Sequence, residues 1–435
     1  MNRPLPDGRP TRHRVLTLAL AAVVAGAGVF VAAQPADPLP RATPSSVRLL
    51  PEPLAAATAL LQQHVDAGKS AGVVAMLARE GKLAYVATVG VQDLATRAPM
   101  TERTLFRIYS MTKPITAVAV MMLFERGAFG LDDPVSNYLP EFAGVTVRSP
   151  DGSRAPARAP TIRDLLLHTS GLEHRTSAVY RDAQVRSRTL TLPQFVKNIV
   201  QVPLMEDPGT RYRYSESTTV LGRLVEIWSG ERFDTFLQTR IFTPLRMPDT
   251  GFYATPAQRP RLATVYAPAV PADQRPTTND QTTSLRSVEI ESLPFTEPPA
   301  LLEGAVGLLS TGSDFLRFAQ MLLNRGELDG VRLLKADTVD AMVGNGLPDA
   351  VLAVRGTGVM GWGLGNVNVV MKPEALRYPA NRGEYGWDGT AGTIFWNDPV
   401  SKTVLLLLTQ NSPADPDNLR ARFKTAIAPA TAVSR

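Results

Sequence analysis

The sequence predicts an α+β fold, in which an antiparallel sheet flanked by helices is built from both chain ends and holds an inserted, mainly helical domain. Strand-like runs lie near both ends of the chain, whereas helix-like patterns dominate its middle. The chain has 435 residues, well above the size of a typical single core, so two packed regions are expected.

Each element of this fold has its own local signal. Apolar runs on both sides of Glu80-Gly81-Lys82 indicate an antiparallel hairpin. Thr161 and Asp164 have the spacing of a capping box at a helix start. The predicted strands are 72–78, 83–91, 104–108, 362–371, 390–396 and 402–409. The predicted helices are 54–65, 111–126, 192–201, 216–229, 232–240, 314–324, 336–343 and 417–427.

These elements divide the chain into a predicted α/β domain, residues 52–113 and 355–430, and a mainly helical domain, residues 114–354. Within the helical domain, residues from about 251 to 300 are rich in Pro, Thr and Asp and have little periodicity, which predicts a long loop. Residues 34–51 contain five prolines and are expected to form an extended linker.

The first 33 residues (1–33) indicate export. Basic residues precede an uncharged apolar run at 15–33, and Val31-Ala32-Ala33 offers small residues for cleavage. The run is also long enough to span a bilayer, so a cleaved signal peptide and an uncleaved membrane anchor both stay open. In either case the folded body is expected to be periplasmic or secreted, with membrane contact only through this segment.

Composition excludes several classes of site and partner. The chain has no cysteine, which rules out disulfides, zinc–thiolate sites, iron–sulfur clusters and cysteine nucleophiles. Four Arg against one Asp in the first fourteen residues supply +3 of the net charge of +6, and no basic face follows, so no nucleic acid is expected. No cofactor and no metal ion are expected either, because no group of His or carboxylate residues has metal-ligand spacing. The oligomeric state stays open.

Two motifs match a catalytic or binding pattern but fail on context. Gly68-Lys69-Ser70-Ala71-Gly72 fits the nucleophile-elbow pattern G-x-S-x-G, yet a helix precedes it and a strand follows, the reverse of the order that the elbow requires. Residues 356–361 fit G-x-G-x-x-G, but a strand-like run follows instead of the helix that would bind a pyrophosphate. We interpret the first as a tight turn and the second as a bend or close backbone packing.

A third motif, Ser110-Met111-Thr112-Lys113, lies where a strand-like segment gives way to a long apolar helix. Residues i and i+3 share a helix face, which brings the lysine amine to the serine hydroxyl. A lysine can act as the base if burial lowers its pKa, and the amides of a helix start favour a developing oxyanion. The four residues alone are also compatible with an ordinary polar helix start.

The wider segment 105–114 resembles the nucleophile segment of the serine β-lactamase superfamily, in its class C-like branch, and is most similar to the carboxylesterases of that branch. Other segments support the resemblance in the same order along the chain, and they are 131–135, 161–172, 307–311 and 314–315. The resemblance covers residues from about 50 to 430 and implies the β-lactamase/transpeptidase-like fold.

The resemblance also implies roles for individual residues. The family's tyrosine motif corresponds to residues 212–216. Tyr214 is expected to share a proton with Lys113 and relay it to the leaving group, and Tyr212 is the alternative. Glu216 would border the substrate, and it stands where penicillin-recognising members usually carry the amide of an Asn.

The family's K-T-G motif corresponds to Trp387-Asp388-Gly389 at the substrate-binding edge of the sheet. An indole and an acid replace the cation that anchors a substrate carboxylate. Asp388 is therefore expected to repel an anion, and Trp387 is expected to line an uncharged acyl or alkyl group. By resemblance, the backbone amides of Ser110 and Thr390 form the oxyanion hole.

The sequence thus predicts a serine hydrolase that forms an acyl-enzyme on Ser110, acting as a carboxylesterase on small uncharged esters. A β-lactam also acylates such a serine, so weak β-lactam hydrolysis is compatible with this prediction. The alternatives are a β-lactamase or D-Ala-D-Ala-type peptidase acting on cell-wall peptides, and an acyltransferase. From a different class, a non-catalytic cell-envelope binding protein with the same fold is the alternative.

Overall fold

A computed structural model describes residues 38–269, 284–291, 294–355 and 358–431, so the predicted export segment at 1–33 lies outside the described residues. The described helices are α1 Pro51–Asp66, α2 Thr112–Glu125, α3 Ile162–Leu167, α4 Ala178–Asp182, α5 Leu192–Ile199, α6 Ser217–Ser229, α7 Phe233–Leu237, α8 Gly312–Leu323, α9 Ala336–Val343, α10 Asp349–Val354 and α11 Leu419–Thr431. The described strands are β1 Gly72–Arg79, β2 Lys82–Gly90, β3 Leu105–Arg107, β4 Val147–Ser149, β5 Gly152–Arg154, β6 Tyr266–Pro268, β7 Leu285–Ser287, β8 Leu309–Thr311, β9 Glu327–Leu328, β10 Val331–Arg332, β11 Met360–Trp362, β12 Asn368–Val370, β13 Tyr385–Asp388, β14 Ile394–Asp398 and β15 Thr403–Leu408.

The main sheet has seven strands in the order β11-β12-β13-β14-β15-β1-β2. Every neighbouring pair is antiparallel. The two ends of the chain meet within this sheet, where β15 pairs with β1 from Val74 opposite Leu408 to Arg79 opposite Thr403. The predicted fold class, an antiparallel sheet built from both chain ends and flanked by helices, is therefore confirmed.

Alternation along β1 explains how this sheet is covered on both faces. Val73, Ala75 and Leu77 pack into one apolar cluster with α1 and α11. Val74 and Met76 point the other way, into the larger core that includes α8. Successive side chains of a strand point to opposite faces, so a strand that is buried on both faces is apolar throughout. All residues of β15 are buried for the same reason.

The helical layer next to the sheet is organised around α2. Residues 112–123 of this helix are all buried, as its continuous apolar surface predicts. Helix α6 packs against α2, α3 and α5. Helix α3 begins with the predicted capping box, in which the Thr161 hydroxyl accepts from the Asp164 amide and the Asp164 carboxylate accepts from the Thr161 amide.

Two elements differ from the prediction because turns interrupt the expected strands. The run 362–371 is a hairpin, β11 and β12, whose turn places Asn366 at a φ of 56°. The strand expected at 390–396 starts only at Ile394, because residues 389–393 form a tight turn closed by a 2.7 Å hydrogen bond from the Gly389 amide to the Thr393 carbonyl.

The described part of the segment that was expected to be a linker packs onto the body. Leu39, Val47 and Leu49 are buried, and the Ala42 amide donates to the Leu83 carbonyl of β2 at 3.0 Å. Part of the long loop also has regular structure, since β6 pairs with β7. Among the described residues, none of the helices combines the length and the apolar character needed to cross a membrane.

Candidate active site

Ser110 lies in a 3-10 turn, Tyr109–Met111, that leads directly into α2. The preceding strand β3 pairs with β8, which fixes where this turn begins. Tyr109 is buried and has a φ of 41°, a conformation that residues other than glycine rarely adopt and that surrounding structure must hold in place. The Ser110 side chain is thereby held at the start of a buried helix, as the sequence predicts.

Lys113 is brought to Ser110 by the first turn of α2. Its Nζ lies 3.5 Å from the Ser110 Oγ and donates to the Ala305 carbonyl at 3.0 Å. The side chain is 1% exposed, and this burial lowers its pKa to about 7, although the nearby Glu216 carboxylate raises it. A large fraction of Lys113 is therefore neutral near pH 7 and able to accept a proton.

Tyr214 lies against this pair. The Lys113 Nζ is 4.5 Å from the centre of the Tyr214 ring, and the Trp387 Nε1 donates to the Tyr214 hydroxyl at 3.1 Å. Burial raises the pKa of Tyr214 well above its usual value, and hydrogen bonding to Ser110 and Trp387 opposes that rise. Because the hydroxyl accepts from Trp387, its own proton is free to point towards Ser110.

Tyr212, the alternative tyrosine, has different surroundings. The Arg355 guanidinium carbon lies 4.2 Å from the centre of its ring, and Trp362 packs against it at 5.4 Å between ring centres. The described contacts of Tyr214 include Lys113, whereas those of Tyr212 do not. Of the two candidates, the structure brings Tyr214 to the Ser110 side chain.

Glu216 is buried at the start of α6, and its carboxylate accepts from the Thr219 hydroxyl at 2.7 Å. Its negative charge raises the pKa of Lys113. The structure therefore places this expected substrate-binding residue where it acts on the charge of the lysine.

Trp387 and Asp388 lie on opposite faces of β13. Trp387 is paired with Phe395, on the face that carries Tyr214, whereas Asp388 is paired with Ile394, on the face covered by α11. Arg420 of α11 forms an ion pair with the Asp388 carboxylate. Strand alternation thus turns the Asp388 carboxylate towards α11, although its charge still raises the pKa of Lys113. The expectation that Asp388 repels a substrate anion stays a prediction.

Gly389 allows the end of β13 to lie against the turn that carries Ser110. A Cβ atom at this position would lie 2.4 Å from the Ile108 carbonyl oxygen, so only glycine allows this approach. The Thr393 hydroxyl also donates to that oxygen, at 3.4 Å. Thr390, in the same turn, is exposed, and within the described chain neither its amide nor that of Ser110 donates a hydrogen bond. The structure therefore leaves both predicted oxyanion-hole amides available.

The serine of the other motif has a different environment. Ser70 is 1% exposed, and its Oγ lies 2.9 Å from the His64 Nε2 and accepts from the Asn411 Nδ2 at 2.6 Å. These contacts join the end of α1, the start of β1 and the segment after β15, as a buried structural turn would. The G-x-G-x-x-G match also ends in a strand, β11, and its residues 356 and 357 lie outside the described part of the chain.

Sequence reasoning missed two residues near this site. Arg420 of α11 contacts Asp388, which lies 32 residues earlier in the chain, and the turn that follows it. The side chain of Arg175 lies over the Tyr109 ring at 5.6 Å and donates to Glu291 at 2.8 Å. No local spacing pattern indicates either contact, because each depends on how distant segments pack.

Two histidines border the aromatic side of the site. His168 is fully buried, and its Nδ1 accepts from the Ser215 amide at 3.2 Å, so it is held neutral at the end of α3. His174 stacks on Tyr214 at 5.6 Å between ring centres. Within the described ranges, no group of three or more His, Asp or Glu side chains is placed to hold a metal ion.

Comparison with known proteins identifies the family. The Beta-lactamase family model matches residues 57–428. Rv1367c of Mycobacterium tuberculosis is 33% identical over 371 residues, which cover 82% of this chain and 89% of that protein. Esterase EstB of Burkholderia gladioli is 31% identical over 371 residues, with 81% and 89% covered. The solved structure of EstCE1, a hydrolase with promiscuous acyltransferase activity, matches with a TM-score of 0.73 and 26% identity over 87% of this chain and 98% of that one. The chain therefore belongs to the β-lactamase family, as the resemblance implied, and it is a serine hydrolase.

Proposed function

We propose that this serine hydrolase is a carboxylesterase acting on small uncharged esters through an acyl-enzyme on Ser110. The observation that carries the proposal is the buried Lys113 amine, 3.5 Å from the Ser110 hydroxyl and in contact with the Tyr214 ring. A serine hydroxyl needs an adjacent base to become a nucleophile, and a lysine with a pKa of about 7 can be that base.

The reaction would proceed in two halves. The Ser110 Oγ attacks the ester carbonyl carbon while its proton passes to Lys113, and the amides of Ser110 and Thr390 donate to the resulting oxyanion. As the carbon–oxygen bond to the alcohol breaks, Tyr214 delivers a proton to the leaving oxygen and is reprotonated from Lys113. Water then attacks the acyl-enzyme by the reverse sequence of proton transfers and releases the acid.

The aromatic surface beside Ser110 supports an uncharged substrate. Trp387 and Trp362 meet edge to face at 4.6 Å between ring centres, and Trp387 also contacts Tyr214. Position 387 has an indole in place of a cation, so it lacks the charge that would hold a substrate carboxylate. This argues for an ester with a short to medium apolar acyl group over a carboxylate-bearing cell-wall peptide.

Substitution of Ser110 tests the proposal. Ser110→Ala should lower the hydrolysis of p-nitrophenyl butyrate by roughly three powers of ten or more and abolish a covalent mass shift with a fluorophosphonate. Ser70→Ala removes the serine of the other motif and is the matched control, with both readouts retained. Full activity in the Ser110 variant would contradict the proposal, and absence of any adduct on the unmodified protein would favour a non-catalytic binding protein.

Assays with different substrates distinguish ester hydrolysis from acyl transfer and from β-lactamase or peptidase activity. EstCE1 transfers acyl groups as well as hydrolysing them, so we propose acyl transfer to an added alcohol as a second activity, measured as ester exchange in the presence of butanol. Comparison of nitrocefin with the butyrate ester tests the β-lactamase or peptidase alternative. A faster rate on nitrocefin would replace the carboxylesterase proposal.

We also propose that the protein is exported through residues 1–33, with cleavage after Ala33 or retention of 15–33 as an anchor. The basic flank and the uncharged apolar run support this proposal. Fractionation of cells and N-terminal sequencing of the recovered protein would distinguish cleavage from anchoring, and recovery of the protein in the cytoplasm would contradict export.

A further inference from the structure

The turn that carries Thr390 is closed by its own backbone. The Gly389 amide donates to the Thr393 carbonyl at 2.7 Å, and the Gly392 amide donates to the Gly389 carbonyl at 3.0 Å. Gly392 has a φ of 96°, which the turn requires. The direction of the Thr390 amide is therefore set by how residues 389–393 are held as a unit.

Arg420 contacts both ends of this turn. Its Nη2 donates to the Gly389 carbonyl at 3.2 Å and to the Thr393 carbonyl at 3.4 Å. Its Nη1 forms the ion pair with Asp388, the last residue of β13. A guanidinium presents several donors in one rigid plane, so a single side chain can bridge two carbonyls and a carboxylate.

The helix that carries Arg420 is itself firmly anchored. Leu419 and Phe423, on either side of it, are buried in the apolar cluster between α11 and the sheet. The Arg420 amide donates to the Asp415 carboxylate at 3.0 Å, and its side chain is only 16% exposed. Packing already restricts the rotamers of the Arg420 side chain, so it loses little conformational entropy when it donates to the turn. Arg420 is therefore a rigid support.

The opposite side of the turn contacts the segment that leads into Ser110. Gly389 lies against the Ile108 carbonyl, two residues before Ser110, and the Thr393 hydroxyl donates to the same oxygen. The segment after β15 also contacts the turn, because the Asn411 backbone amide donates to the Ala391 carbonyl at 2.8 Å and the Thr409 hydroxyl donates to the Gly392 carbonyl at 3.3 Å. These bonds hold the middle of the turn, whereas Arg420 is the side chain that bridges its two ends.

We propose that Arg420 is a positioning residue for the oxyanion hole: it holds the 389–393 turn so that the Thr390 amide stays aligned with the Ser110 amide. This inference rests on the proposed acyl-enzyme mechanism on Ser110. Loss of an oxyanion-hole donor costs roughly 100- to 1,000-fold in kcat. Loosening a donor without removing it should cost less, so Arg420→Ala should lower kcat about tenfold with little change in KM.

Kinetics and inhibitor binding on the full chain test the proposal together. A trifluoromethyl ketone with a short alkyl chain forms a hemiketal whose oxygen occupies the oxyanion position. In Arg420→Ala, its inhibition constant should rise in proportion to the loss of kcat/KM for p-nitrophenyl butyrate. Arg420→Lys keeps a positive charge near Asp388 but cannot bridge both carbonyls, so it should recover only part of the loss. Arg422→Ala, an exposed arginine on the same helix, is the matched control and should change neither value.

The outcomes separate this inference from the proposed function. Suppose that the wild-type enzyme is active and its Arg420 variants lose kcat/KM, but the inhibition constant of the ketone does not change. That result would overturn the positioning role. Full activity in Arg420→Ala would overturn it as well. If Arg420→Ala does not fold, kcat/KM and the inhibition constant are compared in the same way for Arg420→Lys and Asp388→Asn. Failure of the proposed function would instead appear as undiminished activity in Ser110→Ala.

Discussion

At the scale of single residues, the chemistry of this site depends on what surrounds the Lys113 amine. Burial lowers its pKa to about 7, the Glu216 charge raises it, and the Arg175 charge lowers it. The pKa of Lys113, the proposed base, is therefore set by burial together with charges of both signs around it. Glu216, at the start of α6, supplies one of these charges.

The first prediction concerns pH. Protonated Lys113 cannot accept the Ser110 proton, so kcat/KM should rise with pH and level off above a midpoint near 7. Glu216→Gln removes a charge that raises this pKa and should move the midpoint to lower pH. Glu52→Gln, an exposed glutamate on α1, should leave the midpoint unchanged. A pH profile that Glu216→Gln does not move would exclude this electrostatic role.

The second prediction concerns the indole of Trp387. Trp387→Phe keeps an aromatic ring beside Tyr214 but removes the donor that lies 3.1 Å from its hydroxyl. A hydrogen bond to a group that gains negative charge is worth roughly 1.5–3 kcal/mol, so kcat should fall about tenfold or more. KM for a butyrate ester should change far less.

The matched control for this substitution is Trp228→Phe. Trp228 stacks on Phe129 at 4.0 Å between ring centres, and within the described chain its Nε1 is buried without a partner. Steady-state kinetics should therefore show no change in kcat for Trp228→Phe. Equal losses in the two variants would show that the Trp387 hydrogen bond to Tyr214 has no specific effect.

At the scale of elements, local patterns of apolar residues predict which strands and helices are buried. The apolar residues of β1 and the all-round apolar surface of α2 indicate buried elements, and both are found. The face on which Asp388 lies is different, because it depends on the register of β13 against β14. The same is true of Arg420, whose ion pair with Asp388 joins two elements that no local spacing relates. Contacts between distant segments are set by packing of the whole sheet, and local periodicity carries no information about them.

The third prediction concerns the meeting point of two elements. In Gly389→Ala, the new methyl group would lie 2.4 Å from the Ile108 carbonyl oxygen and 2.3 Å from the Thr393 hydroxyl oxygen, so the end of β13 must move away from the Ser110 turn. Displacement of the proposed oxyanion-hole segment should lower kcat by on the order of a hundredfold. Gly144→Ala, where a Cβ meets nothing within 4 Å, is the control. Rates of acylation by a fluorophosphonate, measured for both, would contradict the argument if they agreed within about threefold.

At the scale of the whole molecule, the fold depends on joining the two ends of the chain. Strands β1 and β15 pair inside the sheet, and α1 and α11 pack together on one face. Close to this junction, Ser70 lies between His64 on α1 and Asn411 after β15. The buried hydrogen bonds of Ser70 therefore connect three segments whose docking closes the sheet. The Asn411 backbone amide also donates to the Ala391 carbonyl of the 389–393 turn at 2.8 Å, so this junction borders the site around Ser110.

The last prediction follows from these bonds. Burial lowers the pKa of His64 from 6.5 to about 4, so the unfolded chain binds a proton at this residue before the folded chain does. The stability that the neutral imidazole contributes is complete above about pH 6.5 and is lost as pH falls towards 4, with about 2 kcal/mol lost by pH 5. Urea denaturation should therefore show that stability falls less between pH 7.5 and pH 5 in His64→Gln than in the wild type.

Ser70→Ala separates the hydrogen bonds from the titration. This change leaves the Asn411 amide and the His64 Nε2 buried without their shared partner, which should cost about 1–3 kcal/mol at pH 7.5. Ester hydrolysis per folded molecule should stay at the wild-type level, because Ser70 contacts neither Ser110 nor Lys113 and Asn411 keeps its backbone hydrogen bond to the Ala391 carbonyl. A loss of kcat without a loss of stability would mean that this junction is coupled to the catalytic site. A loss of stability alone would show that the serine of the G-x-S-x-G motif is a buried structural link between the chain ends.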